Sequence, residues 1–142
     1  GSKNGLFGAE AVIFLNREHA SRAVYLRKQV NQLASKMRFI SAQFCAALEE
    51  SRWLDWAGHA NAMARQLHAA TAPLLPEGAI ASPEVNSVFP VLPPEAATTL
   101  QEWCFFWDWN TAAHQYRWMT AWDTTPEDVS RFAAGVKHVL GH

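Results

Sequence analysis

Phe105-Phe106-Trp107-Asp108-Trp109, the turn-prone Asn110-Thr111-Ala112-Ala113, and Tyr116-Arg117-Trp118-Met119-Thr120-Ala121-Trp122 are followed by Thr125-Pro126-Glu127-Asp128-Val129. The two aromatic runs favour extended backbone, and a short turn between them predicts a β-hairpin. Thr125 can cap the free amides of a helix, Pro126 suits its first position, and Glu127-Asp128 set negative charge against its positive end. The helix should continue through Val129, Phe132, Val136 and Val139. A hairpin needs a layer on one face, and a helix directly behind it supplies one.

The chain upstream adds more helix than strand. From Arg17 to Thr71 there is no proline and one glycine, Gly58. Apolar residues recur there at helical spacing: Val24, Leu26, Val30 and Leu33, then Met37, Ile40, Phe44, Ala47 and Leu48. Breaks are expected near Asn31 and near Ser51-Arg52, after which an alanine-rich helix runs from Trp53 to about Ala70. Pro73, Pro76 and Gly78 end this region. Val85 to Val91 reads as a short strand that Pro90 confines to an edge or to the strand's end. Pro93-Pro94-Glu95 starts a helix running to Trp103. The fold class is α+β: long helices followed by a small antiparallel sheet packed against helices.

At the front of the chain, the polar turn Ser2-Lys3-Asn4-Gly5 leads through Gly8-Ala9-Glu10 into Ala11-Val12-Ile13-Phe14-Leu15, read as an apolar strand. A lysine held in such a turn before a strand suits covalent attachment of a carbonyl cofactor, although a lysine near a terminus is ordinarily a solvated charge.

Composition sets the outer limits. The chain has 142 residues, 49% hydrophobic and 18% charged, enough for one domain with a sizeable core. A net charge of -1 gives no electrostatic reason to expect nucleic acid or an anionic membrane as partner. The two cysteines, Cys45 and Cys104, and the six histidines show no metal-ligand spacing, so no metal is expected. A reducing cytoplasm fits this cysteine usage, and no apolar run is long enough to span a bilayer. Seven tryptophans, most of them between Trp103 and Trp122, are the compositional anomaly. Aromatic side chains ordinarily pack cores, and a substrate or subunit contact is the alternative.

Four tracts, in order, resemble the threonine aldolase family of pyridoxal phosphate enzymes of fold type I. Ser2-Lys3-Asn4-Gly5 with Gly8-Ala9-Glu10 is similar to the family's cofactor-lysine turn and the Gly-x-Glu after it. Arg27-Lys28 through Met37-Arg38-Phe39-Ile40-Ser41-Ala42-Gln43 is similar to its Arg-Lys and Met-Arg helix junction. Val85-Asn86-Ser87-Val88-Phe89 is similar to its Thr-Asn-Ile-Val-Phe strand, with Val85 at the place of threonine or alanine. Tyr116 to Val129 resembles Val-Arg-Phe-Val-Thr-Ser-Phe-x-Thr-Thr-x-Glu-Asp-Val and is the most specific of the four.

The resemblance implies the C-terminal part of a lyase that cleaves a β-hydroxy-α-amino acid, such as threonine, to glycine and an aldehyde. It implies that residues 1–30 are a remnant of the large cofactor domain and 31–142 the C-terminal small domain. It makes Lys3 the catalytic, cofactor-bearing residue, places Arg38 near the cofactor phosphate or an adjoining subunit, as a candidate cofactor ligand, and makes Arg117 the clamp on the substrate carboxylate. A planar guanidinium suits that last task through two parallel hydrogen bonds. The parent enzyme would use pyridoxal 5'-phosphate and form a homo-oligomer. This chain alone would neither hold the cofactor nor turn over substrate. The competing reading is a non-catalytic oligomerisation domain whose tryptophans form a contact surface.

Overall fold

The computed structural model describes residues 1–141 and divides into two compact units, Gly1–Trp53 and a second from Leu54 onward. In the first unit a 3-10 turn at Ser2–Asn4 precedes helices α1 (Arg17–Ala20), α2 (Ala23–Gln29) and α3 (Arg38–Leu48). Asn16 caps α1 by accepting the Glu18 amide. Helix α2 stops where expected: Asn31 sits at φ 59°, a left-handed conformation that asparagine tolerates better than most residues. Consecutive positive φ values at Glu50 and Ser51 end the helical path after α3, again at the expected break.

One expectation for this unit fails. Residues 11–15 form no strand; they are irregular and exposed, with Leu15 at 98%. An apolar run becomes a strand only where a neighbour takes up its backbone hydrogen bonds, and among the described residues none pairs with it. The stripe Val24, Leu26, Val30 and Leu33 stays exposed as well. Helical spacing determines which side chains share a face, and burial depends on what packs against it.

Helix α4 (Arg52–Thr71) crosses the unit boundary in its first turn. Its buried residues Ala60, Met63, Ala64, Leu67 and Thr71 fall on one stripe. Pro73 lies in the 3-10 turn Ala72–Leu74 that closes it. Strand β1 (Ser87–Val88), helix α5 (Pro94–Trp103), strands β2 (Trp107–Asn110) and β3 (Gln115–Met119) and helix α6 (Pro126–Val139) complete the second unit. The sheet is antiparallel in the order β1-β3-β2, with Ser87 opposite Met119 and Trp107 opposite Arg117.

The hairpin and its capped helix form as read. Asn110 accepts the Ala113 amide, and His114 at φ 49° completes the turn into β3. The first strand contracts to two residues plus an isolated bridge from Val91 to Gln115. Between them Pro90 has no N–H to offer, yet its carbonyl accepts the Tyr116 amide at 2.9 Å. The Thr125 hydroxyl accepts the Asp128 amide while the Asp128 carboxylate accepts the Thr125 amide, a reciprocal capping box at the start of α6.

Alternation along β3 divides the sheet into two faces. Tyr116 and Trp118 are buried, whereas Gln115 and Arg117 are half-buried and Met119 exposed. The buried face packs against helices: Trp118 and Phe106 meet Phe132 of α6, and the core continues through Leu67, Val88, Leu100, Val129 and Val136. The tryptophans depart from the expected core role. Trp118 is 2% exposed, but Trp103, Trp107, Trp109, Trp53 and Trp122 lie on the surface. An aromatic run in a strand points alternately to both sides, so one face of a run this dense must be left open wherever only the other meets helices.

Candidate functional site

Arg117 stands on the open face of the central strand. Its Nε donates to the Ser87 hydroxyl at 3.2 Å, and one terminal nitrogen donates to the Met119 thioether at 3.4 Å. The guanidinium carbon lies 5.5 Å from the centre of the Trp109 ring, within range of a cation–π attraction. Trp109 in turn meets Phe89 at 5.1 Å between ring centres. A register shift between Asp108 and Asn110 sets Trp109 out of the regular ladder of β2.

Among the described residues Arg117 has no carboxylate partner. A sulfur atom is a weak acceptor, and among the described residues the second terminal nitrogen has no acceptor, so the side of the guanidinium away from Nε remains available to an anion. Ser87 supplies what a clamp needs at its base. The serine is 3% exposed, and its hydroxyl holds the half-buried guanidinium beside the Trp109 ring. Orientation and desolvation both strengthen a paired contact with a carboxylate.

The end of β3 is fixed by Thr120 and Asn86, two residues whose importance the sequence alone does not reveal. Thr120 Oγ1 donates to the Ala60 carbonyl of α4 at 2.7 Å, and the Thr120 amide donates to the Asn86 carbonyl at 3.0 Å. Asn86 Nδ2 returns a bond to the Thr120 carbonyl at 2.7 Å. His59 Nε2 shares a 2.7 Å hydrogen bond with the Thr124 carbonyl, so α4 holds the loop after β3 at a second point. Only the Thr-Thr pair near a helix start hinted at this in sequence, because hydroxyl residues near helix ends bond backbone.

In the first unit, the turn bearing Lys3 is pinned on both sides. The Ser2 hydroxyl donates to the Glu10 carboxylate at 3.0 Å, and Asn4 Nδ2 donates to the Trp53 carbonyl at 3.0 Å. Hydrogen bonds from the chain's amino group and from Ser2 hold the Glu10 carboxyl below its ordinary range. Lys3 itself is exposed and makes no ion pair among the described residues. Arg38 is the first residue of α3, exposed, with its guanidinium carbon 4.8 Å from the Phe39 ring centre. The first turn of α3 contains no acidic residue and no side-chain cap. Lys3 and Arg38 thus belong to one unit and Arg117 to the other.

No protein-family model matches the chain. It is similar to a low specificity L-threonine aldolase of Pseudomonas aeruginosa, 36% identical over 143 residues that cover 99% of this chain and 41% of the relative. A low specificity L-threonine aldolase of another Pseudomonas strain is 36% identical over 142 residues, covering 99% of this chain and 40% of the relative. The chain spans about two fifths of the length of these curated relatives. The likeness carried by four short tracts therefore extends along virtually the whole sequence: the chain is related to the L-threonine aldolases and is consistent with the C-terminal part of one.

Proposed function

We propose that the chain is the C-terminal part of a pyridoxal phosphate-dependent lyase that cleaves a β-hydroxy-α-amino acid of the threonine type to glycine and an aldehyde. The observation that carries this reading is Arg117: a half-buried guanidinium, held at Nε by Ser87, flanked by Trp109 and with no carboxylate partner among the described residues. Such a group is suited to bind and orient an amino acid carboxylate.

The residues present match the cofactor's chemistry. The exposed, unpaired Lys3 amine, carried by a turn that Ser2 and Asn4 hold in place, would attach it covalently. Arg38, the first residue of α3, would supply a cation for its phosphate. When bound, pyridoxal phosphate supplies the electron sink for breaking the Cα–Cβ bond. Arg117 would fix the carboxylate, and thereby the rotation about the substrate's Cα, with Trp109 flanking its guanidinium. Residues 1–30 would belong to a large cofactor domain and 31–142 to a small domain. We further infer homo-oligomeric assembly from exposed apolar side chains such as Val24, Tyr25 and Val30. The chain alone would not turn over substrate, since the activity would need the cofactor's other contacts.

The test is Arg117→Lys in the full-length parent enzyme. Charge is kept and the paired geometry lost, so kcat/KM for threonine should fall roughly ten- to a hundredfold, with the absorbance of the bound cofactor unchanged. Wild-type efficiency in this variant would remove Arg117 from the substrate site.

A further inference from the structure

Arg117 and Met119 alternate with Trp118 along β3, so their side chains leave the sheet on one face, and a terminal guanidinium nitrogen donates to the Met119 sulfur at 3.4 Å. Ser87, directly opposite Met119 in β1, holds the same guanidinium at Nε. The sulfur thus lies against the edge of Arg117 that a substrate carboxylate would take.

The three methionines of the chain differ in access. Met63 is 9% exposed and packs in the core, Met37 is half-buried before the first turn of α3, and Met119 is 44% exposed. Access makes Met119 the one an oxidant meets first, and its contact with Arg117 gives oxidation a consequence. A thioether is a weak acceptor and competes little with a carboxylate. Oxidation turns this apolar side chain into a polar one whose new oxygen is a hydrogen-bond acceptor. The stem has three rotatable bonds, through which that oxygen can turn onto the guanidinium. Hydrogen bonds to an ionised donor are the stronger class.

We propose that Met119 is a reversible oxidation site that regulates substrate capture: the oxygen of its sulfoxide occupies the free edge of Arg117 and must be displaced before a substrate carboxylate binds. The inference rests on the reading of Arg117 as the carboxylate clamp. Under that reading, any opening that lets an amino acid reach the guanidinium also admits a smaller hydroperoxide to the sulfur 3.4 Å from it.

In the oxidation step a sulfur lone pair attacks one oxygen of the hydroperoxide, an S–O bond forms and the O–O bond breaks. The proton of the transferred oxygen passes to the departing one, which leaves as water or an alcohol. Sulfur loses two electrons and the peroxide gains them. Methionine sulfoxide reductases, drawing electrons from a thiol, reverse the change.

The experiment treats the full-length parent enzyme with hydrogen peroxide, removes the excess with catalase, reduces the cysteines with dithiothreitol and compares threonine kinetics before and after. Peptide mass spectrometry should find the added oxygen at Met119 before Met63. KM should rise about tenfold while kcat and the absorbance of the bound cofactor hold, and the two sulfoxide reductases together should restore it. In Met119→Leu, peroxide should leave KM at its starting value, whatever that value is. A readout that needs no activity comes from the ¹⁵N-labelled 142-residue chain, where oxidation should shift the Arg117 Nε–H resonance, and should not in Met119→Leu. The proposal is overturned if Met119 is oxidised and KM does not rise, if Met119→Leu responds equally, if the reductases restore nothing, if the Arg117 resonance stays in place, or if Met63 is oxidised first. Arg117→Lys separates the two readings: a loss of kcat/KM there, together with an unmoved KM after oxidation, discards the regulation and keeps the clamp.

Discussion

Arg117 and Trp109 meet across neighbouring strands, the guanidinium carbon 5.5 Å from the ring centre, where β2 is irregular between Asp108 and Asn110. Trp107 is the direct partner of Arg117, so Trp109 is a second indole beside the same guanidinium. Their coupling should be about 0.5–1 kcal/mol, the range for cation–π pairs open to solvent. A double-mutant cycle with Arg117→Met and Trp109→Leu, read by urea unfolding, measures it. Additive effects would show that the two side chains are only near neighbours.

Asp128 should make the start of α6 sensitive to acid. Hydrogen bonds from the Thr125 hydroxyl, the Thr125 amide and Arg131 lower its pKa from 3.8 to about 2. The folded carboxyl therefore takes up a proton less readily than the unfolded one. Its contribution is complete above about pH 4 and lost as pH falls towards 2. Circular dichroism of Asp128→Asn across that window should show a shallower loss of stability than the parent chain; an equally steep loss would place the acid transition elsewhere.

Thr120→Val tests the junction of β3 with α4. The change keeps the shape and removes the hydroxyl that donates to the Ala60 carbonyl at 2.7 Å, in a residue 3% exposed. Because the Ala60 carbonyl keeps its place in the backbone ladder of α4, losing this extra hydrogen bond should cost about 0.5–1.5 kcal/mol. Chemical denaturation decides it, and a loss below a few tenths would mean that this hydrogen bond adds no net stability.

Gly135→Ala should destabilise the chain, against helix propensity. Alanine is favoured over glycine inside a helix by about 1 kcal/mol. Here the new Cβ would lie 2.7 Å from the Trp103 ring, so the ring must leave its place on Phe132. In a Trp103→Ala background the obstruction is gone, and the same substitution should then stabilise. Thermal unfolding of the four proteins reveals the reversal of sign; stabilisation in both backgrounds would show that Trp103 yields without cost.

Local signals carried the reading of the second unit. Thr125 and Pro126 place the start of α6, Pro93-Pro94 that of α5, and the paired aromatic runs the hairpin, because caps and turns act over a few residues. Tertiary choices left no such mark. Nothing in Ala11 to Leu15 says whether a neighbouring strand exists, and the spacing of Val24, Leu26 and Val30 is the same whether or not something covers them. Arg117 could be singled out by its setting in a family-like tract. Its neighbours could not, because Ser87 lies 30 positions away and Trp109 approaches beside an irregularity that no residue type announces.

Both outer strands of this small sheet are poor templates for another molecule. Strand β1 offers two residues before Pro90 removes an amide, and β2 loses its regular spacing at Trp109. A further strand is therefore hindered from adding in register along either side, even though the open face displays Trp107 and Trp109. The chain can expose a wide aromatic surface to a chosen partner while its backbone resists uncontrolled aggregation into longer sheets.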